Sequence, residues 1–300
     1  MTDRILVEIA TGSTLLFALG AHAIRSRPIF INALFLLIVS AALCAFAIRS
    51  HKSILSVPSI LLHLVFDGTD RRYSLLLFWS ICVLSSLIFC VVVNVSDHSS
   101  TIHRKFFHLT ISLIFMTGLR YDVEFVWLCG WLVLCIFIIV EIFRSFRVPL
   151  WASYLDDWFL VFVDSQDSGN LILTPIYLLA GIFLPLFISP VSNFESIHLY
   201  HFAGVLTVGV GDSLAAIVGS RYGTHHWSGS AKSKEGTVTM ALSQFVFGLI
   251  VCLSYIKGFE LTTVSILRLA STCVVCAFAE AHMQNVDNIV LPLIAYLMLW

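Results

Sequence analysis

The strongest constraint on this sequence is a series of long apolar runs that contain few or no charged residues. One of them, YSLLLFWSICVLSSLIFCVVVNV, extends from Tyr73 to Val95 without a charge. A helix needs about 20 predominantly apolar residues to cross the hydrocarbon core of a bilayer. Because lipid offers no hydrogen-bond partners, such a run satisfies its backbone groups only as an α-helix. We therefore predict an all-α fold, that of a polytopic helical membrane protein.

Such runs recur along the whole chain. Hydrophobic residues make up 59% of the sequence and charged residues 12%, whereas a soluble domain carries about 25% charged residues. The first run has features of a signal peptide, but Asp3 and Glu8 near its start favour a retained helix. The stretch 54–66 is short and predicts a re-entrant or tilted segment. About ten membrane spans are predicted, at residues 5–24, 29–48, 73–95, 102–118, 124–143, 172–189, 200–220, 237–256, 262–280 and 286–300.

The connecting loops differ in charge on the two sides of the predicted bundle. The loops 96–105 and 144–171 contain Lys or Arg and fall on the same side as 221–237, while 190–199 on the opposite side contains neither. Lys and Arg are enriched in cytoplasmic loops, so the first side is predicted to be cytosolic. Four polar stretches are expected to meet on that side, which indicates a site at one membrane face: residues 103–108, 164–169, 221–237 and 280–287.

Asp212 lies inside an apolar stretch, VGVGDSLAAIVGS (208–220). A carboxylate within a membrane is costly and usually functional, so Asp212 is a candidate metal ligand or a base for a hydroxyl group. The alternative is a structural carboxylate bonded to a neighbouring helix. Small residues recur every four positions beside it and predict that another helix packs closely there: Thr207, Gly211, Ala215, Gly219 and Gly223.

The most polar stretch of the chain is RYGTHHWSGSAKSKEGT, residues 221–237. Glycine-flanked backbone amides beside lysine form the kind of surface that binds polyphosphates. We expect Gly236 and Thr237 to open a helix, and a helix N-terminus favours anions. The glycine spacing is not that of a Walker A motif, so a P-loop ATPase is disfavoured. An ordinary solvated connection is the alternative interpretation.

A third group of polar residues stands near the C-terminus. Glu280, Gln284 and Asp287 are spaced i, i+4 and i+7, which places them on one face of a helix. Together with Asp212 they could supply carboxylate ligands for a divalent metal, since Mg²⁺ is held by one or two carboxylates plus substrate phosphates. The alternative is a polar cap where a helix leaves the membrane.

The stretch HRKFFH (103–108) carries a fourth set of candidates. Arg104 and His108 lie one turn apart at a predicted helix entrance. A positive anchor at the membrane surface is enough to account for Arg104 and Lys105. His108 already stands within the apolar run, where a polar side chain is costly, and a functional role is the better explanation for it.

These stretches, in this order, resemble the polyprenol kinase family, and within it most closely the dolichol kinases. The resemblance covers roughly residues 104–300, and the glycine–aspartate stretch and K-x-x-E-G-T are its most specific parts. The family pattern is Trp-Pro-Gly-Thr-Lys-Lys where this chain has Trp-Ser-Gly-Ser-Ala-Lys (227–232), so one of two adjacent lysines is missing. The matching stretches are RKFFH (104–108), DSQDSGNLILTPIYLL (164–179), GVLTVGVGDSLAAIVGSRYG (204–223), WSGSAKSKEGT (227–237) and AEAHMQNVDNIVLP (279–292).

The resemblance implies CTP-dependent phosphorylation of a lipid alcohol, with dolichol as the acceptor, at the endoplasmic reticulum membrane. It implies Mg²⁺ or another divalent cation, a cytosolic loop 221–237, a product that supports protein glycosylation, and no nucleic-acid partner. The expected catalytic residues are His108, Asp212, Glu280 and Asp287, with Asp212 and Asp287 as metal ligands. The expected nucleotide-binding residues are Arg104, Lys105, Gly219, Gly223, Gly229, Ser230, Lys232, Glu235, Gly236 and Thr237.

Two domains and three alternative functions complete the expectations. Residues 1–103 are expected to form an N-terminal transmembrane region of unassigned role, and residues 104–300 a catalytic membrane domain. One alternative is a kinase for phytol, farnesol or diacylglycerol. A second is a transporter, which predicts polar residues along a path through the membrane rather than at one face. A purely structural membrane subunit, the third alternative, would not need the chemistry of the loop.

Overall fold

The computed structural model describes residues 2–66, 69–95, 101–159, 171–190, 194, 196–256, 258–283 and 286–300. Within these ranges the chain is helical and contains no β-strand, only one isolated bridge between His226 and Ser233. A short 3₁₀ turn, Leu199–Phe202, precedes a π-helix, Val205–Asp212. The α-helices are α1 Thr2–Ala23, α2 Ile29–Arg49, α3 Val57–Val65, α4 Asp70–Val95, α5 Thr101–Tyr121, α6 Val123–Ser145, α7 Ala152–Phe159, α8 Thr174–Ile188, α9 Ser213–Tyr222, α10 Lys234–Ser254, α11 Thr263–His282 and α12 Asp287–Leu299.

Among the described residues, six helices are long and apolar enough to cross a membrane, namely α1, α2, α4, α6, α10 and α11. Three further apolar segments are shorter: Ile54–Val65, α8 and α12. These helices confirm the predicted class, an all-α polytopic membrane protein. The number of about ten spans stays a prediction, as does the side on which each loop lies.

The described chain forms two compact units, and the first comprises Met1–Leu77 and Phe125–Ile176. Its core contains the rings of Phe17, Phe35 and Phe143, whose centroids are 5.2–5.6 Å apart. Glu141 and Arg144 form a buried ion pair on α6, with N–O distances of 2.6 and 2.8 Å. Arg144 therefore lies paired inside this helix, although the sequence assigned it to a charged loop.

The second unit comprises Phe78–Glu124 and Tyr177–Trp300, and the π-helix lies at its centre. Helices α5, α10, α11 and α12 all pack against the π-helix. The apolar core beneath them contains Leu206, Met240, Leu269, Cys276 and Leu291, each at most 1% exposed. The predicted domain boundary at residue 103 stays a prediction, since packing into units does not test it.

Glycines allow α9 and α10 to approach closely. A Cβ atom on Gly219 would lie 2.9 Å from Ser233 Oγ, and one on Gly236 would lie 3.0 Å from the carbonyl oxygen of Ala215. Both distances are shorter than ordinary contacts between such atoms, so larger residues would push the helices apart. The close packing predicted for the stripe of small residues is thereby confirmed.

Candidate active site

Asp212 is the last residue of the π-helix, and its side chain meets α5. The Lys105 ammonium donates a hydrogen bond of 2.5 Å to Asp212 Oδ2. The two side chains are only 12% and 13% exposed. Burying two charges is costly unless they compensate each other, which this ion pair does. It joins the predicted polar stretch 103–108 to the glycine–aspartate stretch 208–220.

His108 lies on α5 beside the same carboxylate. Its Nδ1 is 3.1 Å from the carbonyl oxygen of Val208 and 3.5 Å from Asp212 Oδ2. A carbonyl oxygen only accepts hydrogen bonds, so Nδ1 carries the hydrogen. The imidazole therefore holds the π-helix and the Asp212 carboxylate in register with α5. Arg104, the predicted companion of His108, is half-buried on this helix, and its neighbour Lys105 is the cation that reaches Asp212.

Lys232 extends from the polar loop to the C-terminal helices. Its Nζ lies 2.7 Å from Glu280 Oε1 and 3.5 Å from Asp287 Oδ2, and it also donates a 2.8 Å hydrogen bond to the Glu280 carbonyl oxygen. Burial lowers the pKa of Lys232, but the negative charges of Glu280, Asp287 and Asp212 outweigh burial and hold the pKa above its usual value. The Lys232 ammonium therefore stays charged at neutral pH.

The two sets of ion pairs involve helices that pack against the same π-helix, and together they are called the ion-pair cluster. The structure brings together three of the four predicted polar stretches, while residues 164–169 and Gln284 lie outside the described residues. The ion-pair cluster consists of Lys105, His108, Asp212, Lys232, Glu280 and Asp287.

A divalent cation at the ion-pair cluster stays a prediction. Among the described residues, no group of three or more His, Cys, Asp or Glu could hold a metal ion by itself. Mg²⁺ characteristically takes one or two carboxylates and completes its coordination with phosphate oxygens and water. Asp212, paired with Lys105, and Asp287, paired with Lys232, are the carboxylates predicted to bind such a cation, and this role stays a prediction.

Asp287 is placed by an unusual backbone conformation. Val286, immediately before it, has φ 61°, in the left-handed region. A β-branched residue there is an outlier, and such conformations cost roughly 1–3 kcal/mol and concentrate at functional sites. Asp287 then begins α12, whereas Glu280 lies on α11, so the prediction that both stand on one face of a single helix is wrong. Asp287 Oδ1 accepts a 2.9 Å hydrogen bond from the Asn288 amide. The second oxygen, Oδ2, is the one that faces Lys232.

The loop that carries Lys232 folds back on itself. The Trp227 amide donates to the Lys232 carbonyl at 3.1 Å, and the Lys234 amide donates to the His225 carbonyl at 2.7 Å. Gly229 has φ 74°, which favours glycine, and Ser230 Oγ accepts a 3.1 Å hydrogen bond from the Lys232 amide. Gly229 and Ser230 thus shape the turn that presents Lys232.

Residues after the turn are held by contacts within the protein. Glu235 accepts hydrogen bonds from the Thr224 hydroxyl at 2.8 Å and from His225 Nδ1 at 2.7 Å. Thr237 Oγ1 accepts a 2.9 Å hydrogen bond from the Trp227 indole. Both residues therefore brace the loop, and a phosphate contact by either stays a prediction.

Helix α10 begins at Lys234, earlier than the predicted opening at Gly236 and Thr237. The reason is the side chain of Ser233, whose Oγ caps the helix by accepting a 3.1 Å hydrogen bond from the Gly236 amide. That amide is consequently used by the chain itself. Gly223 also faces Ser233, since a Cβ there would lie 2.6 Å from Ser233 Cβ. Packing accounts for these glycines, and phosphate binding by them stays a prediction.

One polar residue near the site was not predicted from the sequence. Gln244 stands in the apolar run of α10, and its side chain packs against Gly211, the residue before Asp212. The signal that could have found it is an amide side chain within a stretch that is otherwise apolar.

The chain is similar to known proteins over most of its length. A family model described as Dolichol kinase matches residues 4–226. The chain is 33% identical to the dolichol kinase of Homo sapiens over 263 residues, which are 83% of this chain and 48% of the human protein. It is 29% identical to the dolichol kinase of Saccharomyces cerevisiae over 231 residues, or 76% of this chain and 42% of the yeast protein. A phytol kinase from Synechocystis is 40% identical over 119 residues, or 37% of this chain and 48% of that protein.

The extent of these matches decides what they show. The chain spans about half the length of the curated relatives it matches. No solved structure matches it. The family model nevertheless covers well over half of the chain, and the matched residues include the π-helix with Asp212. By sequence, the chain belongs to the dolichol kinase family.

Proposed function

We propose that this protein transfers the γ-phosphate of CTP to the hydroxyl group of dolichol, with release of CDP. The observation that carries the proposal is the ion-pair cluster, in which two partly buried lysines pair with largely buried carboxylates from separate stretches of the chain. Phosphoryl transfer depends on neutralising charge and on aligning the two reacting oxygens, with little covalent chemistry for the protein to perform. A cluster that offers both signs of charge suits this reaction.

Lys232 and Lys105 are suited to binding the phosphate groups of CTP. Lys232 is charged, 28% exposed at its side chain, and mounted on a turn next to the buried carboxylates. Lys105 holds a corresponding place on α5. In the proposed complex their ammonium groups exchange carboxylate oxygens for phosphate oxygens of CTP. A divalent cation such as Mg²⁺, held by Asp212 and Asp287, would neutralise further phosphate charge.

The acceptor reacts at Asp212. The hydroxyl oxygen of the lipid forms a bond to the γ-phosphorus, and the bond from that phosphorus to the bridging oxygen of CDP breaks. The hydroxyl proton passes to the Asp212 carboxylate, which His108 keeps aligned through its contacts with Asp212 and the Val208 carbonyl. Glu280 holds Lys232 in position through both its carboxylate and its backbone carbonyl.

The two substrates differ in their solvent, and this difference suggests where the site lies. Dolichol stays in the bilayer with its hydroxyl near the surface, while CTP stays in water, so a kinase that joins them needs its site at one membrane face. We place that face on the cytosolic side of the endoplasmic reticulum membrane, where dolichyl phosphate supports glycan synthesis. The charge of the loops supports this orientation.

The orientation is testable with glycosylation tags in microsomes. A tag inserted between Pro190 and Ser196 is expected to be glycosylated, and a tag inserted at Ser230 is expected to remain unmodified. The reverse pattern would put Lys232 in the lumen, away from cytosolic CTP, and would contradict the proposal.

The reaction itself is tested with purified protein, γ-labelled CTP, Mg²⁺ and separate lipid alcohols. Label is expected in dolichyl phosphate, with ATP as a poorer donor and with the Asp212→Asn variant as the inactive control. Phytol is the second candidate acceptor, because the Synechocystis phytol kinase is 40% identical over its matched 119 residues. Label in phytyl phosphate, farnesyl phosphate or phosphatidate, but not in dolichyl phosphate, would overturn dolichol as the acceptor.

A further inference from the structure

A buried amide beside the ion-pair cluster has no part in the reaction described so far. Gln244 is fully buried on the inner face of α10. Its Nε2 and Oε1 are both shielded from solvent, and neither has a hydrogen-bond partner among the described residues. Buried polar groups are almost always hydrogen-bonded, because leaving them unsatisfied costs stability. An amide with both polar atoms unused therefore indicates a ligand.

The position of Gln244 relates it to Asp212. A Cβ on Gly211 would lie 2.8 Å from Gln244 Cγ and 3.0 Å from Gln244 Cδ. Only glycine at position 211 leaves room for the amide. Asp212 follows Gly211 in the π-helix, so the residue against which the Gln244 amide packs is the immediate neighbour of Asp212.

The surroundings of Gln244 define the chemistry of its ligand. The other buried residues of α10 carry apolar side chains or none. On the opposite face of this helix, Leu242 and Val246 are 62% and 56% exposed, as expected for residues that meet lipid. A nucleotide phosphate would lose its hydration in such a place without compensation, whereas a neutral hydroxyl group on an apolar chain would not. The other buried residues of α10 are Gly236, Met240, Gly248, Val251 and Cys252.

We propose that the Gln244 amide binds the hydroxyl group of the acceptor lipid and presents it to Asp212. A hydroxyl both donates and accepts hydrogen bonds, and a primary amide is its complement. Gln244 Nε2 donates to the alcohol oxygen, and the hydroxyl hydrogen is shared between Gln244 Oε1 and Asp212. This inference rests on the proposed function, and it adds the residue that recognises the acceptor.

The Gln244→Met variant tests this inference, because methionine keeps the length and volume of glutamine but not its hydrogen bonds. The KM for dolichol is expected to rise about tenfold, which corresponds to about 1.4 kcal/mol, while the KM for CTP changes less than about twofold. The thermal unfolding midpoint in detergent should stay the same or rise, since an unsatisfied amide has been removed. Ser243→Ala is the matched control on α10, because its hydroxyl bonds to the Met240 carbonyl of the same helix.

Binding is measured separately from turnover, as protection of the protein against thermal unfolding by dolichol in the absence of CTP. Wild-type protein and Ser243→Ala should be protected, and Gln244→Met should be protected about tenfold less efficiently, in line with the lost hydrogen bonds. An unchanged KM for dolichol, or a lower unfolding midpoint with all kinetic parameters impaired, would show a structural role and overturn the inference. If wild-type protein phosphorylates no lipid alcohol but dolichol still protects it through Gln244, the proposed function fails and the binding site remains.

Discussion

Each of the two units buries an ion pair, and the two pairs are built differently. In the first unit, Glu141 and Arg144 stand three residues apart on one helix and meet through two N–O contacts of 2.6 and 2.8 Å. The Ile172 amide donates a further 2.7 Å hydrogen bond to Glu141. In the second unit, Lys105 and Asp212 are separated by 107 residues and meet through one carboxylate oxygen.

The difference teaches which buried charges serve structure and which are available for chemistry. A bidentate arginine–carboxylate pair has fixed geometry, and this one forms as soon as α6 does. A lysine is a compact point charge on a flexible stem and changes partners more readily. The pairs of the ion-pair cluster also exist only after distant helices have packed. We therefore expect the pair of the first unit to stabilise the fold and those of the second unit to perform the reaction.

The largest effect is expected from Asp212→Asn. Asparagine keeps the volume and an oxygen that accepts from Lys105, but it cannot take up the hydroxyl proton or bind a cation strongly. The turnover number should fall by between about 10² and 10⁴, the range for loss of a general base. The measurement is phosphate transfer from CTP per folded molecule, with folding checked by size-exclusion chromatography. If the variant keeps more than about a tenth of the wild-type activity, its barrier has risen by less than about 1.4 kcal/mol. That result would show that Asp212 is not the general base.

The converse change is Glu141→Ala in the first unit. It leaves the buried Arg144 charge without its carboxylate, which should cost about 3–5 kcal/mol of stability. The thermal unfolding midpoint should fall, while the KM values and the turnover number of the folded protein stay unchanged. Lost turnover without lost stability would mean that this pair also belongs to the reaction, and the contrast between the two units would disappear.

Two lysines of the loop provide the smallest and sharpest comparison. Lys232 lies within the ion-pair cluster, whereas Lys234 lies over the Trp227 ring at 5.5 Å from its centroid. Lys232→Ala should lower kcat/KM for CTP, by an amount that corresponds to a barrier higher by about 1–3 kcal/mol, as loss of a charge-assisted phosphate contact would. Lys234→Ala should change it by less than about 0.5 kcal/mol, as surface substitutions usually do.

Restoring the second lysine of the family pattern extends that comparison. Ala231→Lys should lower the KM for CTP or leave it unchanged, because it adds a cation next to Lys232 without removing a contact. Equal and small effects of the two alanine variants would mean that the loop binds no phosphate, and the solvated-connection alternative would then hold.

Much of the helical architecture is predictable from residue pattern alone. Apolar runs such as Tyr73–Val95 correspond to helices because lipid leaves the backbone no other way to satisfy its hydrogen bonds. The pairing of Lys232 with Glu280 and Asp287 agrees with the expectation that the stretches 221–237 and 280–287 meet, while the membrane side on which they lie stays a prediction.

The finer features of the site depend on tertiary packing. Sequence spacing pairs Arg104 with His108, yet Lys105 is the residue that faces Asp212, because the packed face of α5 is set by its neighbours. The start of α10 depends on a single Ser233 hydroxyl. The sequence also cannot show that Gln244 packs against Gly211 and that its amide has no hydrogen-bond partner among the described residues.

The π-helix has a consequence for how such a site could be lost during evolution. A π-helix is an α-helix that has accommodated an additional residue within a turn, and each residue of an α-helix advances the direction of its side chain by about 100°. Asp212 stands at the end of this segment, so deletion of one residue from Val205–Val210 would return the helix to regular winding and rotate the carboxylate away from Lys105. A homologue with that deletion would retain the whole GDSLAAIVGS motif and still lack the ion pair. The direction in which the aspartate side chain points would then distinguish active from inactive relatives, although both carry the same motif.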